Sequence, residues 1–409
     1  MPRRRRASSQ QGRWTWWAAL VVAAGMLALR WLQVGATSPV PAAAAAPAVS
    51  AAASPPASGP WRGAPFDPRV LQARDSLRAL WARRVERAGA SLAAYREATR
   101  YPHESQPIAT QPDQVHPNLP IEDEQPLRAP DGRIADGLRL RTTQERVFVQ
   151  GQESVHFGVS LVDADGKPQP LAIVRAVARE LPPPRSGPTY AEVPLAFNDD
   201  GQNGDTVAGD GSYGAQLQPA TQGFAGLLGT IRVELLLQSR DRQGTTFFDI
   251  VYSPEPPATW QGGVREVLED GSLNFYLKAR VHEVGRYVVT GRVDDAAGRP
   301  FALLSFNDEV AAGAQEFRLS LFGKLVHDGR PVFPLTLRDV DAFLLRPDVF
   351  PDRKLMPRLA GTVFTSRSWP LAAFSDAEWN SEERSRYVAE LTRDLDEAQR
   401  ELARLGKGP

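Results

Sequence analysis

Apolar positions along this chain of 409 residues change period several times, and each change marks a boundary. Leu77, Trp81, Val85, Ala88, Leu92 and Tyr95 recur at steps of 4, 4, 3, 4 and 3, the spacing of one helical face. Asp67 as N-cap and Pro68 in the first turn open this helix, which the pattern places at residues 67–99. The same steps return in Tyr387, Leu391, Leu395, Ala398, Leu402 and Leu405. There Ser375 and Glu378 read as a capping box and Gly406 as a stop, giving a C-terminal helix within residues 371–409. Two stripes of equal period either pair as a hairpin, join two copies as a homodimer, or lie each on its nearest domain.

Between the helices the period falls to two. Val155, Phe157, Val159 and Leu161 alternate with His156, Gly158 and Ser160, as in a half-buried strand. Further strand candidates are Leu138 to Val149, Ala172 to Leu181, Tyr190 to Phe197, Tyr213 to Gln218, Leu228 to Ser239 and Thr245 to Tyr252. About seven short strands predict an immunoglobulin-like sandwich over residues 137–254. A second set follows Pro254, Pro256 and Pro257. Its strands are Leu273 to Val281, Tyr287 to Val293, Phe301 to Phe306, the Phe317, Leu319, Leu321 alternation, Val332 to Leu345 and Leu359 to Phe364. They predict a second sandwich over residues 255–370, so the expected fold is mainly β, with two tandem immunoglobulin-like β-sandwiches and flanking helices.

Prolines set the remaining boundaries. Residues 37–66 are dominated by Ala, Pro and Ser and read as an extended spacer. Residues 100–136 carry seven prolines, from Pro102 to Pro130, yet offer Tyr101, Ile108, Val115, Leu119 and Ile121 for burial. That combination predicts an extended strap lying over the domains. Ahead of the spacer, Trp14 to Leu29 holds no charge, and Trp14, Trp16, Trp17 and Trp31 suit the two membrane interfaces. Arg3 to Arg6 then place the amino terminus inside. Residues 1–36 are therefore read as a single-pass inner-membrane anchor, spanning at residues 14–32, with the bulk of the chain periplasmic. The alternative is a signal peptide cleaved near Ala36, after the small residues Val34 and Gly35, which would release a secreted protein.

Composition narrows the chemistry. Basic and acidic residues balance at 48 each, but six arginines precede position 37, leaving 42 basic against 48 acidic in the remainder. An acidic remainder without basic runs excludes nucleic acid as the expected partner. No cysteine is present, which removes disulfides, thiolate metal sites and a cysteine nucleophile.

The densest polar chemistry is the loop from Asn198 to Tyr213, which gathers Asp199, Asp200, Asp205 and Asp210 among Gly201, Gly204, Gly209 and Gly211. Calcium prefers six to eight oxygens, and such a loop turns sharply enough to aim several carboxylates at one point. These four aspartates are the candidate metal ligands, with calcium the expected cofactor. The competing reading is that they cap backbone N–H groups in consecutive tight turns, while Phe197 and Tyr213 plug the core. Gly209 to Gly214 also matches a phosphate-binding glycine pattern, but a strand-like Ala215 to Pro219 follows where a helix is required. The five histidines form no ligand pair at helical spacing, and His156 and His282 fall on polar strand faces. Asp294 with Asp295, and Asp339 with Asp341, read as turn and strand-edge residues. There is no nucleophile elbow, phosphate-binding loop or zinc-protease motif, so no catalytic residue is assigned.

Several stretches together resemble the bacterial domain-of-unknown-function family 4785, exported proteins with tandem immunoglobulin-like domains. They are Tyr101 to Pro107, the Asp/Gly loop, Glu269 to Leu273, Gly285 to Gly291 and Leu321 to Lys324, spread over roughly residues 100 to 365. The resemblance implies fold and export, and no activity. The expected function is a non-catalytic, envelope-anchored binding or scaffolding protein whose partner is a protein or glycan of the cell envelope. The alternatives are an enzyme or ancillary domain acting on envelope glycans, and a periplasmic assembly factor or chaperone that adds a client strand to an open sheet edge.

Overall fold

The computed structural model describes residues 68–181 and 190–406. The expected membrane segment and spacer lie outside the described residues. Among the described residues no helix is long and apolar enough to cross a membrane.

Alternation of large apolar and polar side chains yields two sets of facing sheets. In chain order the first set contains β2 (Ile121–Arg128), β3 (Ile134–Gln144), β4 (Phe148–Gln150), β5 (Val155–Asp163), β6 (Ala172–Leu181), β7 (Val193–Pro194), β8 (Tyr213–Leu217), β9 (Gly229–Ser239) and β10 (Arg242–Ser253). They form a four-stranded sheet β2-β3-β5-β8 and a five-stranded sheet β4-β10-β9-β6-β7. Pairing is antiparallel except between β10 and β4. Val155, Phe157, Val159 and Leu161 turn inward from one sheet to meet Ile231, Val233 and Ile250 of the other in one core. Each fully buried side chain of this size contributes about 1.5–3 kcal/mol of transfer free energy.

The second set contains β1 (Ser105–Pro107), β11 (Ala258–Glu269), β12 (Ser272–Val281), β13 (Gly285–Asp294), β14 (Pro300–Val310), β15 (Gly313–Leu321), β16 (Thr336–Leu345), β17 (Arg353–Leu355) and β18 (Leu359–Thr365). A three-stranded sheet β11-β12-β15 faces a six-stranded sheet β1-β14-β13-β16-β17, in which β18 also pairs with β16. Phe275, Leu277 and Phe317 from one side pack with Tyr287, Val289 and Leu337 from the other.

Two stretches depart from the periodicity reading. Residues 121–128 were expected within the strap, but Pro126 interrupts only a sheet edge, and Ile121 to Arg128 pair with β3. The strap is thus shared: Ser105 to Pro107 pair with β14 of the second set, and β2 belongs to the first. Residues 258–269, within the second set but ahead of its first expected strand at Leu273, form β11, where a bulge between Trp260 and Val264 takes up Gly262 and Gly263.

The helical stripes pair with each other. Helix α1 (Pro68–Ala98) and the C-terminal helix run antiparallel, with Tyr95 and Tyr387 rings 5.8 Å apart at one end and Arg74 Nη2 donating to the Leu405 carbonyl at 2.8 Å at the other. A seven-residue helix α2 (Gly323–Gly329) precedes β16, and the C-terminal helix α3 spans Glu382–Gly406. The capping box expected at Ser375 and Glu378 is displaced: Ser381 Oγ accepts the Arg384 N–H at 3.0 Å, so Ser381 starts α3. Ser375 instead donates its N–H to the Gly271 carbonyl at 3.0 Å, and Glu378 pairs with Arg384 at 2.9 Å.

Candidate functional site

The Asp/Gly loop leaves and re-enters the first sheet set through one gate, where Asn198 and Gly214 exchange N–H···O bonds of 2.9 and 2.8 Å. Gly214 is required there, because a Cβ would lie 2.1 Å from the Asp205 nitrogen. Asn203 takes a left-handed φ of 52°, which asparagine tolerates.

Inside this gate the aspartates fold the loop around themselves. Asp199 Oδ1 accepts the N–H groups of Gly209 at 2.5 Å and Asp210 at 3.2 Å, and its Oδ2 accepts that of Gly211 at 2.9 Å. Asp205, 7% exposed, accepts from Gly201 at 2.5 Å and Val207 at 3.2 Å. Asp210 caps the Ser212 N–H at 2.8 Å, and Asp200 caps that of Gln202 at 3.0 Å. The turn-capping expectation therefore describes all four. Asp199, Asp205 and Asp210 also converge, each with an oxygen within 4.8 Å of the others, whereas Asp200 is not in that group. A carboxylate oxygen that accepts one N–H retains a lone pair, so the convergent three could supply part of a calcium shell, with carbonyls and water completing six to eight oxygens.

The loop rests on a half-buried pair. His156 Nδ1 lies 2.7 Å from Glu145 Oε2, which also accepts the His156 N–H at 3.1 Å. A Cβ on Gly204 would come within 3.1 Å of the His156 Cβ and 3.3 Å of its Cδ2, so glycine is what lets the loop lie this near the histidine. Burial pushes the Glu145 carboxyl up, but hydrogen bonds from His156 and Arg146 outweigh it and hold it below the ordinary range.

A second constellation was not foreseen. Asp295 does cap a turn, accepting N–H groups from Ala297 at 2.9 Å and Arg299 at 3.0 Å. Asp294, Asp339 and Asp341 instead join Arg292, Arg338 and Arg358 on the outer face of the six-stranded sheet. Arg292 is 2% exposed and donates to Asp341 Oδ2 and to the Asp339 carbonyl, each at 2.7 Å. Burial draws its pKa down while Asp341 opposes. What buries it is the strap: Arg292 donates to Gln114, and Arg338 to the Val115 carbonyl at 3.0 Å. Arg292 lies in the polar phase of β13, so no local signal could have marked it as buried.

Three of the stretches that carry the family resemblance meet at the foot of the helical hairpin. Ser105 Oγ accepts the Phe322 N–H at 2.9 Å, and Ser272 Oγ accepts that of Gly323 at 3.2 Å. A Cβ on Gly323 would fall 2.1 Å from the Gly271 carbonyl oxygen, which makes glycine obligatory. Asp328 accepts from the Tyr101 hydroxyl at 2.8 Å and pairs with Arg100 at 2.9 Å and Lys324 at 3.2 Å. These groups are engaged with one another, and their arrangement is that of a structural joint.

No protein-family model matches the chain, and no curated protein matches it either. Among solved structures it is similar to a DUF4785 family protein from Legionella pneumophila, at 12% identity and a TM-score of 0.37, over 55% of this chain and 57% of that one. It is also similar to the adhesin InvE of Yersinia pseudotuberculosis, at 13% identity and a TM-score of 0.18, over 56% of this chain and 59% of the adhesin. A chimeric titin Z1Z2 structure matches at 10% identity and a TM-score of 0.18, over 60% of this chain and 97% of that one. The chain thus spans less than two thirds of the first two neighbours.

Proposed function

We propose that this chain is a non-catalytic scaffolding or binding protein of the bacterial envelope, carried by residues 14–32 and built on two immunoglobulin-like sandwiches. The sandwich type is supported by strand order. One sheet of each set runs through its strands in the same sequence, β10-β9-β6-β7 in the first and β18-β16-β13-β14 in the second, each beside a sheet centred on β5 or β12. That is the G-F-C-C′ order of the immunoglobulin pattern beside its B-E sheet.

The observation that carries the scaffolding role is the fixed junction between the two sets. The Arg353 guanidinium lies over Phe148 of the first at 5.0 Å and Phe343 of the second at 4.9 Å, with its side chain 18% exposed. Ser253, fully buried, accepts the Gly151 N–H through its carbonyl at 2.9 Å and the Leu355 N–H through Oγ at 3.3 Å. Tyr287 donates to the Pro257 carbonyl at 3.0 Å, which ties down the connecting prolines. A protein that presents surfaces at a set spacing needs such a junction. Calcium at Asp199, Asp205 and Asp210 would stiffen the first sandwich within the same role, supported by their convergence within 4.8 Å.

The test is capture of partners from cross-linked envelopes with the full chain and with Arg353→Ala. The scaffold reading expects the same partners, recovered several-fold less well by the variant. Hydrolysis of envelope glycans by the purified chain, abolished by substitution of a single carboxylate, would instead establish the enzyme alternative.

A further inference from the structure

Two helices of 31 and 25 residues project a seam that they cannot bury by themselves. Among their described side chains only Leu92 and Ala398 are buried. Trp81, Val85, Tyr95, Tyr387, Leu391, Leu395 and Leu402 are only partly buried, while Leu77 is 46% and Leu80 50% exposed. Helices of this length draw most of their stability from packing, and a single partner covers too narrow a stripe on each.

We infer that the hairpin docks on the hairpin of a second copy of this chain, forming a four-helix bundle about a two-fold axis parallel to the helices. The charge pattern selects a second copy over a foreign helix. Helix α1 carries seven arginines against three acids, a net +4, whereas α3 carries five arginines against seven acids, a net −2. In a two-fold bundle each α1 lies between its own α3 and the partner's, so every neighbouring pair is antiparallel and opposite in charge. A foreign acidic helix would match α1 alone.

The contacts of Arg74 with Leu405 and of Tyr95 with Tyr387 set Leu77 and Leu80 level with α3 residues near 399–402. At that height α3 presents an open, exposed face made by Asp396, Gln399, Arg400 and Ala403. An axial two-fold preserves height, so Leu77 and Leu80 of one copy come level with this stretch of the partner's α3. The inference rests on the hairpin alone and not on the scaffolding role.

Light scattering of the full chain in detergent at micromolar concentration reads the association directly. The expected protein mass is twice 44.7 kDa, falling to the monomer value in Leu77→Glu/Leu80→Glu. Both side chains are half-exposed in one copy, so the β-sheet circular dichroism and the sandwich melting transition should be unchanged in that variant. High salt should weaken the dimer, since opposite charge contributes to the pairing. A monomeric wild type overturns the inference. So does a dimer that survives the double substitution, because the interface then lies elsewhere.

Discussion

Arg292 on β13 holds Gln114 of the strap by both its polar ends, donating to the backbone carbonyl at 3.1 Å and to Oε1 at 3.0 Å across 178 residues of sequence. The strap is therefore closed over an ionic network and is not merely laid on a surface. Removing Arg292 leaves Asp341 with Arg358 alone and the Gln114 and Asp339 carbonyls without their buried donor, and leaving buried acceptors unpaired costs about 1–3 kcal/mol. Arg292→Met should lower stability by roughly that amount in urea unfolding of the full chain. Gln114→Ala keeps the backbone carbonyl and should lose only about 1 kcal/mol. Equal, small losses in both variants would show that the network does not hold the strap.

The same reasoning redraws the first independent unit. A fragment beginning at residue 137 lacks β2, and with it Leu127, which is 1% exposed and lies so close to β10 that a Cβ on Gly244 would fall 2.3 Å from its Cδ1. Deleting a buried leucine costs about 2–5 kcal/mol, before the lost ladder of β2 is counted. Residues 119–254 should fold with a cooperative transition. Residues 137–254 should melt well below it or bind a hydrophobic dye. Indistinguishable thermal unfolding of the two fragments would place β2 outside the cooperative core.

The joint at Asp328 should set a pH window. Burial pushes the Asp328 carboxyl up, but hydrogen bonds from Tyr101 and Lys324 and the charge of Arg100 win and hold it below its ordinary 3.8. Its contribution is therefore present above that value and is lost as pH falls through the lower folded one. Burial and the hydrogen bond to Asp328 push the Tyr101 hydroxyl up to about 12. This contribution is present below the ordinary value of 10.0 and is lost as pH rises towards 12. Lys324 is raised by Asp328 as well and shares the alkaline arm. Stability measured against pH should show Asp328→Asn flattening the acid arm. Tyr101→Phe should flatten part of the alkaline arm and, because its hydroxyl also helps hold Asp328 down, weaken the acid arm less than Asp328→Asn does. Loss of the acid arm in Tyr101→Phe, with Asp328→Asn unchanged, would contradict this assignment.

Much of the strand pattern was legible because burial writes itself into period two: Val155, Phe157, Val159 and Leu161 are each at most 1% exposed. The hairpin followed from matching steps, although spacing alone could not choose it over the other two arrangements. What periodicity could not show is burial imposed from far along the chain. Ser105 and Arg292 look like surface residues in their own segments and are enclosed only when the strap crosses the sheet. Ser375 missed its role for a related reason, since the close approach of Gly271 and Gly323 claims its backbone N–H before a helix can start. In the Asp/Gly loop all four aspartates were visible as candidates, but only the folded path of the loop separates Asp200 from the convergent three.

That separation gives the loop a sharp test. If calcium occupies the point between Asp199, Asp205 and Asp210, millimolar calcium should raise the melting temperature of the first sandwich, and Asp205→Asn or Asp210→Asn should abolish the rise. Asp200→Asn should retain it, because Asp200 only caps the Gln202 N–H. A site of about 10⁻⁴ M affinity, with ligand a hundredfold above it, adds roughly 2.7 kcal/mol to the folded state by mass action. Magnesium should do much less, since it sheds water reluctantly and demands a stricter octahedron than these N–H-engaged oxygens provide. Asp205 needs separate control, because it also accepts the Gly201 and Val207 N–H groups and its substitution loosens the loop without any ion. The exposed Asp210 is the cleaner probe, and its variant should melt like the wild type in EDTA. If calorimetry detects no calcium binding and EDTA leaves the wild-type melting curve unmoved, the three carboxylates converge only because the same set of tight turns needs them as backbone acceptors.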